Sequence, residues 1–250
     1  MRRRVRSAAA GIGDDQYRAA RPEGNPGQRQ GFAAPATLCY QRTVAPGAGA
    51  NKGKDRGTGM QVETTPIAGV LLITPRRFFD DRGYFVELYQ EERYRAAGVD
   101  ARFMQDNRSL SRPVYTVRGL HFQRPPFAQA KLVQVLRGSI VDVAVDIRHG
   151  SPTFGRHVAV TLSAEAGNQL YVPAGFAHGF CTLEPDTEVH YKVSAPYSRE
   201  HDGGIHWADP ALGIDWPAGP DRAVVSDKDR VLPRLADLGP LFHYEGGTDA

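Results

Sequence analysis

From Met60 onward the chain runs in short stretches rich in Val, Ile, Leu, Tyr and Phe, cut by Gly, Pro and Asp, and this texture restricts the possible folds most tightly. VLLITP, GYFVELY, VYTVRGLHF, AKLVQVLRGSIVDVAVDI, RHVAVTLS, NQLYVPAGFAHGFCTL and TEVHYKVSAPYS supply at least seven strands. One helical candidate, EERYRAAG at 91–98, interrupts them and ends on Gly98, and residues after 205 read as short loops or helices. Closely spaced strands without long crossover helices argue for antiparallel sheets, which predicts an all-β sandwich or barrel with a few short helices.

The strands also show which faces carry polarity. In IVDVAVDIR, Val141, Val143, Val145 and Ile147 fall on one side, leaving Asp142, Ala144 and Asp146 on the other. One sheet face is therefore polar. In TEVHYKV, Tyr191 shares its face with Val189 and Val193, which buries the phenol and obliges its hydroxyl to find a partner.

Residues 1–59 differ in kind. They hold 25 Ala, Gly or Pro and, of Val, Ile and Leu, Val5, Ile12, Leu38 and Val44, without helical or strand period. Such a segment buries too little apolar surface to offset its ordering entropy, so disorder is expected. It carries 11 Lys/Arg against 4 Asp/Glu, leaving 20 basic and 24 acidic residues for the rest, so the overall charge of +3 conceals an acidic folded part. A nucleic-acid or membrane surface is not expected there. The extension suits a transit peptide or an RNA-contacting tail in composition, but patterned sequence beginning at a methionine favours a start-site artefact or dispensable addition. The expected organisation is a disordered 1–59, a domain over 60–245 and a flexible tail at 246–250. With Cys39 and Cys181 as its two cysteines and no apolar span or secretory h-region, the chain reads as cytoplasmic.

The most informative spacing is GNQLYVPAGFAH, in which Gly167, Pro173, Gly175 and His178 match the second motif of the cupin superfamily, a double-stranded β-helix or jelly roll. Metal-binding cupins carry, on an earlier strand, two histidines one residue apart and then a glutamate. The corresponding stretch here has His121, Gln123 and Lys131. Taken alone, His121 could be a metal ligand, a base or a core histidine. A protonated lysine has no lone pair to donate and repels a divalent ion, so no metal and no other cofactor is expected.

A metal-free cupin with His, Lys and Tyr in its mouth resembles the nucleotide-sugar 3,5-epimerase family. The resemblance rests on DDRGYFVELY, QDN, RGLHFQ, AKLVQVLRGSIVDVAVDIR, VPAGFAHGF, YKVSAPYSREHDGGI and SDKD, in family order. It implies proton removal at C3 and C5 of dTDP-4-dehydro-6-deoxy-D-glucose, giving dTDP-4-dehydro-L-rhamnose through an enolate. By the same resemblance His121 is the base, Asp229 orients and charges it, Tyr191 is the acid across the ring, and Lys131 stabilises the enolate oxygen. Arg82, Glu87, Gln105, Asn107, Arg118, Asp202 and Lys228 match substrate contacts, and Tyr197 matches the aromatic that stacks on thymine. His178 is either a relay or substrate contact, or inner-barrel structure supported by Asp142. Family members exchange an early strand within a homodimer, which would send Arg82 and Glu87 to the partner's site.

Ala195 and Pro196 stand where the family commonly has an acidic residue and an aromatic, and Asp202 where glutamate is frequent. These departures keep open a single-centre epimerase of an antibiotic-sugar pathway. A non-catalytic sugar-binding cupin and a metal-dependent oxygenase are the remaining alternatives.

Overall fold

In the computed structural model of the chain, residues 40–42 and 59–246 are described. Strands β1 (Tyr40–Arg42), β2 (Met60–Thr64), β3 (Leu71–Pro75), β4 (Arg77–Asp80) and β5 (Gly83–Val86) precede helix α1 (Glu91–Ala96). Then follow β6 (Gln105–Ser111), β7 (Thr116–Gln123), β8 (Lys131–Arg137), β9 (Ser139–Asp146), β10 (Arg148–His149), β11 (His157–Ser163), β12 (Gln169–Val172), β13 (Phe176–Thr182), β14 (Thr187–Val193) and β15 (Asp202–Gly204). Strand β16 (Val224–Val225), helix α2 (Asp227–Arg230), a 3-10 turn at Leu235–Asp237 and β17 (Phe242–His243) complete the described chain.

Two sheets face each other. One has the order β1-β11-β9-β13-β7-β15 with β16 also on β7; the other has the order β2-β3-β12-β8-β14-β6. Within these two sheets pairing is antiparallel except for β1 on β11 and β16 on β7, and outside them β10 pairs parallel with β17. This is the all-β jelly roll expected from the sequence, with α1 in the predicted place. Gln90 caps α1 by accepting the Arg93 N–H at 2.6 Å, and Gly98 follows it at φ +98°. Of the extension expected to be disordered, Tyr40–Arg42 form β1 and Gly59 leads into β2; residues 1–39 and 43–58, like the tail from 247 to 250, lie outside the described residues.

Period-2 alternation divides the strands between a shared interior and two outer covers. Val133 and Val135 of β8, Leu170 and Val172 of β12 and Val189 of β14 meet Ile140 and Ala144 of β9, Val158 and Val160 of β11 and Phe176 and Phe180 of β13. The opposite residues of β9, Val143 and Val145, pack outward with Ile205, Leu212 and Phe242 of the C-terminal segment. Tyr94 of α1 covers Leu132 and Tyr171 on the outside of the other sheet. The polar face of β9 is thus the inner one: Asp142 shares the inward side with Ile140 and Ala144. Asp146, on that same face, is taken up by Arg148, Ser151 and Thr153.

Candidate active site

Strand β7 brings Arg118 and His121 to the same cavity, although a regular strand would turn residues three apart to opposite faces. The register between β13 and β7 shifts here: His178 pairs with His121, but Phe180 pairs with Arg118. Gly119 sits in the slip at φ +134°, and a Cβ on it would lie 2.6 Å from Gly179 Cα and 3.0 Å from the His178 carbonyl oxygen. The glycine of RGLH is therefore required twice, by its dihedral and by the close approach of β13.

His121 Nε2 lies 2.7 Å from Asp229 Oδ1. Its side chain is 31% exposed, whereas that of Asp229 is 5% exposed. Asp229 is placed by α2, whose N-cap Ser226 accepts the Asp229 N–H at 3.2 Å, and its Oδ2 accepts the Gly119 N–H at 3.3 Å. Burial pushes the Asp229 carboxyl upward, but hydrogen bonds from His121, Gly119 and Ser226 outweigh it and hold the pKa below the usual carboxylate value. Beside an ionised carboxylate Nε2 is the donor, so a neutral imidazole there would carry its lone pair on Nδ1, the arrangement that a base needs.

Lys131 enters from the inward face of β8, 7% exposed, with Nζ donating to the His121 carbonyl at 3.2 Å. Burial lowers its pKa to about 8, with Asp142 and Asp202 pulling the other way. Tyr191 stands on β14 between Asn107 of β6 and Val133 of β8. Burial raises its pKa above the phenol value, Arg118 opposing and Asp202 adding to the rise. His178 Nε2 lies 2.8 Å from Asp142 Oδ1, inside the barrel, and burial lowers its pKa.

Around this centre the space has two lobes that share His121, Lys131, Tyr191 and Lys228. The larger, about 710 Å³, continues past Arg118 to Ser109, Ser111 and Arg112, and takes in His178 and Asp229. The smaller, about 230 Å³, is lined by Gln105, Asn107, Tyr197 and Asp202. Gln105 Oε1 accepts the Tyr197 N–H at 3.1 Å, Tyr197 Oη reaches Asp202 at 3.4 Å, and Asp202 is ion-paired to Lys228. Arg118 Nε donates to Ser111 Oγ at 3.1 Å, which aims the guanidinium along the larger lobe.

Two expected substrate contacts lie elsewhere. Arg82 is 90% exposed and ion-paired to Asp80 at the tip of the β4–β5 hairpin, and Glu87 pairs with Arg93; neither lines these lobes. Gln123, at the position of a cupin ligand, instead ties together the loops after β7 and β14, donating to the Phe127 and Pro196 carbonyls and accepting the Ser198 N–H. Among the described residues no three His, Cys, Asp or Glu side chains converge on a point where a metal could sit. Ser109, Ser111 and Ser226 are lining residues that sequence reading did not single out. The signal was present in QDNRSLS, where every second side chain is polar and faces the cavity.

The family model for dTDP-4-dehydrorhamnose 3,5-epimerase matches residues 64–237. The chain belongs to this family. A relative from Sinorhizobium fredii (strain NBRC 101917 / NGR234), named dTDP-4-dehydrorhamnose 3,5-epimerase, is 54% identical over 185 residues, spanning 74% of this chain and 94% of the relative. The crystal structure of the Bacillus anthracis dTDP-4-dehydrorhamnose 3,5-epimerase with TDP and PPi bound superposes with a TM-score of 0.68 at 50% identity, covering 70% of this chain and 99% of that one. The Legionella pneumophila dTDP-6-deoxy-D-glucose-3,5-epimerase in complex with dTDP-4-keto-L-rhamnose gives 0.71 at 42% identity, covering 75% and 100%. All seven sequence signatures fall on the matched fold, so the fold and family expectations hold.

Proposed function

We propose that this chain inverts C3 and C5 of dTDP-4-dehydro-6-deoxy-D-glucose, with His121 as base, Tyr191 as acid and Lys131 at the carbonyl oxygen. The observation that carries this reading is the convergence of the His121–Asp229 pair, Lys131 and Tyr191 on one cavity. Hydrogens flanking a 4-keto group are acidified because the carbanion delocalises onto oxygen as an enolate. A base on one face and an acid on the other then give inversion. Nδ1 of His121 takes the proton, Asp229 stabilises the resulting imidazolium, and the Lys131 ammonium stabilises the enolate; positioned proton transfers contribute about 10² to 10⁴-fold each. Arg118 and Lys228 are the cations available to the diphosphate, and Tyr197, 58% exposed, offers a flat surface to the base. Gln105, Asn107, Asp202 and His178 complete the polar lining.

Incubation with this nucleotide sugar in deuterated water tests the reading. Exchange at both C3 and C5 is expected; exchange at one carbon alone would make the chain a single-centre epimerase.

The functional unit in this reading is a homodimer that trades the β4–β5 hairpin. The hairpin presents Phe78, Phe79, Tyr84 and Phe85 between 51% and 75% exposed, an apolar surface that a second copy would cover. The same exchange carries Arg82 and Glu87 from their own protomer toward the partner's cavity. Among the described residues no helix is long and apolar enough to cross a membrane, and a nucleotide-sugar substrate suits the cytoplasm, where we place the enzyme.

A further inference from the structure

The buried carboxylate of Asp142 is not explained by the chemistry above. Asp142 is fully buried on the inward face of β9, with Oδ1 held by His178 and Oδ2 without a hydrogen-bond partner among the described residues. An ionised oxygen in that position is costly unless a positive charge lies within reach through the apolar interior. His178 is a poor candidate, because burial favours its neutral form. The cation that shares the interior is Lys131, whose hydrogen-bond acceptor is a neutral carbonyl.

The other charges around Lys131 are already matched. Asp229 is bonded to His121, and Asp202 is ion-paired to Lys228 at the cavity rim. Arg118 points along the larger lobe, held by Ser111, and Tyr191 is neutral at physiological pH because burial raises its pKa further. Asp142 is the carboxylate left over, and in a low-dielectric interior its field on Lys131 is weakly screened. Asp142 is also the stronger of the two carboxylates that favour the Lys131 cation.

We infer that Asp142 is a positioning residue for Lys131: its uncompensated buried carboxylate keeps Lys131 as the ammonium that faces the enolate, and His178 fixes that carboxylate in place. The inference rests on the role given to Lys131 above. It assigns the second histidine–aspartate pair of the barrel to holding a charge, separate from the first pair, which moves a proton.

The test is the pH dependence of kcat in the native chain, Asp142→Asn, His178→Gln and Lys131→Met. In the native chain activity should fall on the alkaline side, with a midpoint near the value of about 8 to which burial lowers Lys131. Asp142→Asn should move that midpoint down by about one unit or more, a tenfold loss of ammonium at a given alkaline pH. His178→Gln, which keeps the carboxylate, should move it less. A uniform drop in kcat with an unmoved midpoint would make Asp142 merely structural and overturn the inference. Residual activity that keeps the same alkaline limb in Lys131→Met would instead overturn the role of Lys131. Independently of whether the Asp142 variant folds, selective 13Cε labelling of the five lysines in the native chain reads Lys131 directly. A midpoint near 8 is expected, and one below 7 would show that no group holds the charge and would sink the proposal.

Discussion

At the scale of single residues, the proposed reaction needs one group ready to accept a proton and another ready to donate one. His121 is held against Asp229, whose carboxyl stays below the usual carboxylate pKa, and burial raises the Tyr191 phenol above its usual value. His121→Asn should therefore lower kcat by about 10² to 10⁴-fold while the cooperative thermal melt stays intact. A collapsed melt would mean that the imidazole is structural. Lys131 gives a prediction in which activity and stability move in opposite directions. Its folded pKa of about 8 lies below the 10.5 of an exposed lysine, so between these values the unfolded chain binds more protons than the folded one. Stability from this group consequently rises with pH across that window, by on the order of 3 kcal/mol, as the burial penalty of the cation is relieved. Turnover falls over the same range as the ammonium is lost. Comparing native and Lys131→Met melting temperatures at pH 7.5 and 10 isolates the effect: the native chain should gain relative to the variant, and an unchanged difference would show that Lys131 is not desolvated.

At the scale of elements, the fold was legible where apolar alternation is strong and obscure where a strand serves the site. The runs in β8, β9, β11 and β14 alternate apolar residues and were read correctly, as was α1 with its terminal Gly98. Strand β6, QDNRSLS, carries Leu110 as its sole apolar residue and presents no hydrophobic period, because the face it turns inward lines a polar cavity. The departure of β7 from period 2 was visible as Val117, Leu120 and Phe122, but a single sequence does not say that Gly119 absorbs the slip. Its consequence is testable. Gly119→Ala would place a methyl group against Gly179 Cα and the His178 carbonyl oxygen at a φ that L residues avoid. The expected result is a destabilisation of more than about 2 kcal/mol together with loss of turnover, since Arg118 and His121 would no longer share one face. Denaturant unfolding and kcat measure the two effects, and a variant that melts and turns over like the native chain would refute the slip as the positioning device.

At the scale of the whole molecule, the charge split and the comparisons divide the chain at nearly the same place. The family match begins at residue 64, close to Met60, where the basic extension gives way to strand-patterned sequence. Among the described residues, the two lobes of a protomer draw no lining residue from before Gln105, so deletion of residues 1–59 should leave kcat and KM within about twofold of the native values. A modest fall in melting temperature is expected, because β1 pairs along β11 and its removal exposes a sheet edge. Loss of turnover in the truncated chain would show that the extension belongs to the working enzyme. The β4–β5 hairpin makes the complementary prediction. If its aromatic face is covered by a second copy, Phe79→Asp with Phe85→Asp should shift the species seen by sedimentation velocity from dimer to monomer. That change should raise KM more than it lowers kcat, because Arg82 and Glu87 would leave the substrate site while His121, Tyr191 and Lys131 stay within their own barrel. A monomeric variant with native KM would mean that each protomer binds its nucleotide sugar alone.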